Sequence, residues 1–127
     1  MKKHLNYFGS AFDPIDITGK KTLKKVKKAK KIKKRLKKEL KRDGYDSSEL
    51  WDLDVTFAKF ILPRLKGFRD RTISYPSTME TFEEWSSALD EMIYGFENAI
   101  EDSDSTDYDR LRKGLELFGK YYRDLWI

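Results

Sequence analysis

The chain has no cysteine and a single histidine. The first absence excludes disulfides, thiolate nucleophiles and cysteine-based zinc sites, and it fits a reducing compartment. The second leaves His4 with no other imidazole and no carboxylate beside it, so it reads as a surface histidine. No Gly-rich phosphate loop, Ser-His-Asp set or Cys-His set is present, which argues for a non-enzyme with no catalytic residues, metal or cofactor. No segment approaches the roughly twenty apolar residues that span a bilayer. Met1-Lys2-Lys3 resembles the opening of a leader, but no apolar run of roughly seven to fifteen residues follows. The expected location is the cytoplasm, away from membranes.

Acidic side chains are also scarce where basic ones are dense. Residues 1–42 carry seventeen Lys and Arg against three Asp and Glu, whereas residues 43–127 carry ten against nineteen. The formal net charge of +5 over 127 residues therefore hides a strong dipole. Fifteen of the basic residues lie in Lys20–Arg42, KKTLKKVKKAKKIKKRLKKELKR, whose one acid is Glu39. Such asymmetry suits a nucleic acid or other polyanion, or an arm folded back on its own acidic body.

Aromatic residues supply what the 39% apolar content withholds: three Trp, seven Tyr and eight Phe are large units of buried area. The length allows one domain with one core. Residues 1–19 mix Gly9, Pro14 and Gly19 with isolated apolar residues and read as an irregular segment. In the basic stretch Val26, Ala29, Ile32, Leu36 and Leu40 fall within about 120° of arc, which predicts a one-sided helix over about 20–42, with Leu23 and Lys25 as misfits. Lysines at i,i+4 cost it a few tenths of a kcal/mol per pair, so an anionic surface should order it. Gly44 is a plausible stop.

Asp46-Ser47-Ser48-Glu49 is a capping pattern and predicts a second helix over about 47–66, with Leu50, Leu53, Phe57, Ile61 and Leu65 on one face. Asp54 falls within that face, where a carboxylate must be paired, hydrogen-bonded or protonated, so it is expected to be a buried acid held by a donor from another helix. Pro63 should kink this helix or mark its last turn. Residues 67–78 read as the longest loop of the body, and Arg64, Lys66, Arg69 and Arg71 around it form a second basic patch, either a weak phosphate surface or arginines paired with nearby acids. Thr81-Phe82-Glu83-Glu84 opens a third helix, about 80–101, with Phe82, Trp85, Leu89, Met92, Phe96 and Ala99 at alternating spacings of 3 and 4. Thr106-Asp107-Tyr108-Asp109 opens a fourth, about 107–125, with Tyr108, Leu111, Leu115, Phe118, Tyr122 and Leu125 on its stripe. The fold class expected is all-α: residues 1–19 irregular, 20–42 a basic arm or fourth helix, and 43–127 an acidic, compact, antiparallel three-helix bundle.

Two acidic groupings invite metal chemistry. Asp102-Ser103-Asp104-Ser105-Thr106-Asp107-Tyr108-Asp109 fails the calcium-loop pattern, having Asp107 where glycine is required and Lys113 where glutamate is required, and reads as a turn and cap. Glu80-x-x-Glu83 and Glu101-x-x-Asp104 resemble the magnesium-holding motifs of all-α nucleotide pyrophosphatases. They sit at helix ends, away from the core face, and such spacings arise by chance in so acidic a body.

Trp51-Asp52-Leu53-Asp54, Ala58-Lys59-Phe60-Ile61-Leu62-Pro63-Arg64-Leu65-Lys66, Glu84-Trp85, Leu89-Asp90-Glu91-Met92-Ile93, Phe96-Glu97 and the run from Lys113 to Tyr122 with Leu125-Trp126 together resemble an uncharacterised family of small bacteriophage proteins. The resemblance covers residues 50–126 and leaves out the basic arm. It implies a phage accessory product acting in the bacterial cytoplasm and carries no activity.

Three functional readings follow. In the first, the lysine helix binds DNA, RNA or a nucleoprotein through Lys24, Lys27, Lys28, Lys30, Lys31, Lys34, Arg35, Lys37, Lys38, Lys41 and Arg42. Lysine dominance favours phosphate contact over base readout. In the second, the helix docks on an acidic host protein, as an inhibitor of a bacterial defence or transcription complex. In the third, it pairs with its own acidic body within a monomer or across a homodimer.

Overall fold

The computed structural model describes residues 20–127, with side chains from Thr22 onward; the irregular segment expected at 1–19, with His4, lies outside the described residues. Among the described residues there are four α-helices and no strand: α1 (Lys20–Asp43), α2 (Leu53–Arg71), α3 (Phe82–Ile100) and α4 (Tyr108–Lys120), with short 3-10 turns at Ser47–Leu50 and Tyr122–Asp124. None of these helices is long and apolar enough to cross a membrane.

The chain divides into two compact units between Leu53 and Asp54. The reason is local hydrogen bonding. Gly44 reverses the chain after α1 with φ of 83°, a left-handed conformation that costs other residues about 1–2 kcal/mol. Its amide donates to the Leu40 carbonyl at 2.9 Å. Both the amide and the hydroxyl of Ser47 then donate to Glu39 Oε2 at 2.8 Å. The segment after α1 therefore belongs with α1, although its charge resembles that of the body.

In the second unit α3 supplies the centre of the core. Trp85, Leu89 and Met92, spaced 4 and 3 apart, are the largest fully buried side chains. Ala58 and Leu65 of α2 join them, with Leu117, Phe118, Tyr121 and Leu125 from the C-terminal segment packed alongside. The rings meet edge to face: Trp85 with Phe68 at 6.3 Å and with Tyr121 at 5.6 Å, and Phe96 with Phe118 at 4.9 Å. Each such pair contributes about 0.5–1.5 kcal/mol beyond its buried area.

The capping residues place α3 and α4. Thr81 Oγ1 accepts from the Glu84 amide at 3.2 Å, as its sequence pattern predicts. α4 starts one residue later than its pattern predicts, because Asp107, not Thr106, accepts from the Arg110 amide at 3.1 Å. Thr106 is otherwise engaged, donating to Asn98 Oδ1 at 2.8 Å and accepting from the Ser103 amide at 2.9 Å. The acidic run around it is thus a turn and a cap.

Helix 2 departs most from expectation. Its capping box forms as predicted, with the Asp46 amide donating to Glu49 Oε2 at 2.7 Å and the Ser48 amide to Asp46 Oδ1 at 3.0 Å, but it caps only the 3-10 turn. The chain turns again at Trp51-Asp52 before α2 begins at Leu53. Leu50 and Leu53 are consequently exposed, and the buried positions of α2 are Val55, Ala58 and Leu65. Pro63 neither ends the helix nor precedes a loop: α2 continues to Arg71. In that turn Arg64 Nη1 donates to the Phe60 carbonyl at 2.6 Å. The last helix ends at Lys120 instead of running to 125, which leaves Tyr122 exposed and brings Tyr121 onto the core.

α3 and α4 cross backbone to backbone. A Cβ on Gly114 would stand 2.2 Å from the Glu91 carbonyl oxygen and 3.3 Å from the Cα of Gly95. Gly119, one turn on, has nothing within 4 Å of that position. Gly114→Ala should therefore destabilise by about 3 kcal/mol or more through overpacking. Gly119→Ala should be neutral or stabilising by up to about 1 kcal/mol. Thermal denaturation of the two variants checks the opposite signs.

Candidate functional site

α1 is 24 residues, about 36 Å long, and its side chains sort by helical phase. The covered stripe runs through Lys25, Ala29, Ile32, Leu36 and Glu39, at spacings of 4, 3, 4 and 3. Ala29 and Leu36 are buried and the other three half-buried. This stripe is rotated from the Val26-to-Leu40 seam expected from apolarity alone; Val26 and Leu40 are 42% and 50% exposed. Two residues explain the rotation. Glu39 is drawn to the covered side by Ser47, and Lys25 can lay its aliphatic stem there while its ammonium reaches water.

All eleven cations predicted to bind a polyanion are exposed. At 100° per residue they fall into two rows. The first row is Lys24, Lys28, Lys31, Arg35, Lys38 and Arg42, and the second is Lys27, Lys30, Lys34, Lys37 and Lys41. The rows lie about 100° apart around the helix, and with Lys33 the exposed cations span about 220° of its circumference. The missed member, Lys33, is exposed too; phase counted from the covered stripe would have found it.

The rows differ in neutralisation. Arg42 forms a two-bond pair with Asp43, Nε to Oδ1 at 3.0 Å and Nη2 to Oδ2 at 2.8 Å. That guanidinium holds the Asp43 carboxyl below its ordinary range, and the same bonds raise Arg42. Arg35 Nε lies 3.9 Å from Glu39 Oε1. Among the described residues, none of the lysines from Lys24 to Lys41 has a carboxylate within ion-pair distance. Both arginines of α1 thus have acid partners, and the unneutralised charge is entirely ammonium.

The residues of the second basic patch sit on α2, not in a loop. Arg69 Nη1 meets Asp90 Oδ1 at 2.8 Å, Lys66 Nζ meets Glu97 Oε2 at 3.9 Å, and Arg71 Nη1 donates to the Gly67 carbonyl at 3.3 Å. The Arg64 guanidinium stacks 3.8 Å from the centre of the Phe60 ring. Asp54 is not the buried acid expected: it is exposed in the first turn of α2, because that helix starts at Leu53 and not at Ser47. A carboxylate there complements the positive helix end and meets water.

Apolarity also surfaces, at Phe57 and Tyr122 where the expected helical stripes ran and at Phe60 beside them. Phe57 and Phe60 are 41% and 53% exposed, and Tyr122 is 62% exposed. Phe118 contacts Phe57 at 6.1 Å and Tyr122 at 5.8 Å, making one row of rings across α2 and the C-terminal turn. No known protein family, curated protein or solved structure matches the chain.

The two Ser47 hydrogen bonds, with the backbone amide's the larger effect, hold the Glu39 carboxyl below its ordinary value of 4.5. A lowered folded value means the contact stabilises fully above that ordinary value and is lost as pH falls through Glu39's own lower value. The Ser47 amide resonance should keep its position above the ordinary carboxylate value and move upfield only once pH falls below it, following Glu39 and not bulk unfolding. A titration followed by amide NMR checks this, and Glu39→Gln should abolish the pH-dependent movement.

Proposed function

We propose that this is a small non-enzymatic phage accessory protein that binds nucleic acid or a nucleoprotein through α1, a basic arm on an acidic helical bundle. The observation that carries the reading is the exposure of all eleven predicted cations on one helix whose lysines from Lys24 to Lys41 have no carboxylate partner among the described residues. Surface ion pairs stabilise by only about 0–1 kcal/mol each, so so dense a field of ammonium groups is poorly explained by stability. It is well explained by a partner that carries many phosphates. Lysines give non-directional contact, and of the two arginines, whose forks suit guanine, Arg42 is bonded to Asp43 and Arg35 lies 3.9 Å from Glu39. Sequence-independent binding follows.

A second reading, inhibition of a bacterial defence or transcription complex by protein contact, is favoured by the exposed rings of Phe57, Phe60 and Tyr122, since contiguous exposed apolar surface marks interfaces. The readings separate by experiment. On the first, fluorescence anisotropy with a labelled duplex should give a log–log salt slope of about −5 to −7, for roughly five to eight phosphates neutralised. A shallow slope, or capture of a protein from nuclease-treated bacterial lysate with no affinity for the duplex, would favour the second.

A further inference from the structure

The geometry of α1 narrows the partner further, and this inference rests on the reading just given. A helix lying on a flat or convex anionic surface can use cations over less than half of its circumference. On α1 the two rows, about 100° apart, span about 180°, and Lys33 extends the exposed cations to about 220°, with the covered stripe on the opposite side. That distribution matches a concave anionic surface with phosphates along both walls. The major groove of B-form DNA is such a surface: it is about 12 Å wide, against about 10–12 Å for an α-helix with its side chains, and each wall is the backbone of one strand. The corresponding groove of A-form RNA is too deep and narrow for side chains to read.

We propose that α1 lies along the major groove of duplex DNA, its first row facing the phosphates of one strand and its second row those of the other. The covered stripe points out of the groove. Lys27, Lys34 and Lys38 lie nearest the midline and face the groove floor. The Arg42–Asp43 pair closes the C-terminal end of the first row, so contact there is weaker than along Lys24–Lys38.

The test uses the full chain and two variants that remove equal charge. Lys24, Lys28, Lys31 and Lys38 are changed to Gln in one, and Lys30, Lys34, Lys37 and Lys41 to Gln in the other. Glutamine matches lysine in helix propensity, and circular dichroism confirms that each variant keeps its helix. Probes are a twenty-base-pair DNA duplex, an RNA duplex of the same sequence and either DNA strand alone, at low and moderate salt. Each variant should lose at least tenfold in affinity for duplex DNA and about 3 to 4 from the salt slope, at about 0.9 per phosphate. The wild-type protein should prefer duplex DNA to duplex RNA by at least tenfold. If one variant binds like wild type, α1 lies on an open surface and the groove placement is overturned. Equal or tighter binding of duplex RNA or of a single strand overturns it as well, while leaving polyanion binding intact. Absence of binding to every probe at low salt overturns the functional reading itself.

Discussion

Repulsion along α1 is the constraint to which the rest of the first unit answers. Lysines recur at i,i+3 and i,i+4 from Lys24 to Lys41, each pair working against the helix that brings it together. Three things oppose the repulsion. Ala29 and Leu36 are buried, Glu39 supplies the helix's one acid before its terminus, and Lys41 and Arg42 complement the negative helix end. Glu39 serves twice, meeting Arg35 and accepting both donors of Ser47, so the residue that relieves the charge also fastens the turn that follows. Under the proposed function, anions arriving at α1 would relieve the repulsion that persists in the folded chain.

The second unit is built on the opposite economy of charge. Its acids are spread through α3 and α4, and several are matched across helices: Arg69 with Asp90, and Arg110 with Glu91 through bonds of 2.8 and 3.1 Å. Arg110 also covers the Tyr94 ring at 3.9 Å, while the Tyr94 hydroxyl accepts from the Asp107 amide at 2.9 Å. These contacts surround a place where α3 and α4 have no side chain between them. Interhelical distance at Gly114 is set by backbone atoms, and the aromatic contacts on either side follow from it.

Legibility in the sequence tracked how far one physical signal ruled a stretch. α1 and α3 were readable almost to the residue, because lysine density in one and a regular apolar stripe in the other leave a single phase. The covered stripe of α1 departs from the apolar seam because hydrogen bonding, not hydrophobicity, sets its end: Glu39, the one acid of the basic stretch, is an anchor. The start of α2 was lost to an authentic capping box. Asp46 and Glu49 perform the expected cap on a single turn, and nothing local distinguishes a turn that continues from one that stops. Asp54 followed that error, since a shift of helical start changes which side a residue faces. Of the two roles expected of Pro63, a kink or the last turn, the second does not hold, because α2 runs on to Arg71. Of the two glycines of α4, Gly114 sits at the crossing and Gly119 beside open space, a difference that nothing local in the sequence marks.

The predominance of ammonium over guanidinium on α1 has a consequence for kinetics if the proposed function holds. Guanidinium forks lock onto phosphates in a fixed geometry, whereas ammonium groups on flexible stems hold them in many. A chain bound mainly through lysines would have no preferred register and would diffuse along its partner without breaking any one indispensable contact. Its residence at any point would then follow competition from free magnesium and polyamines.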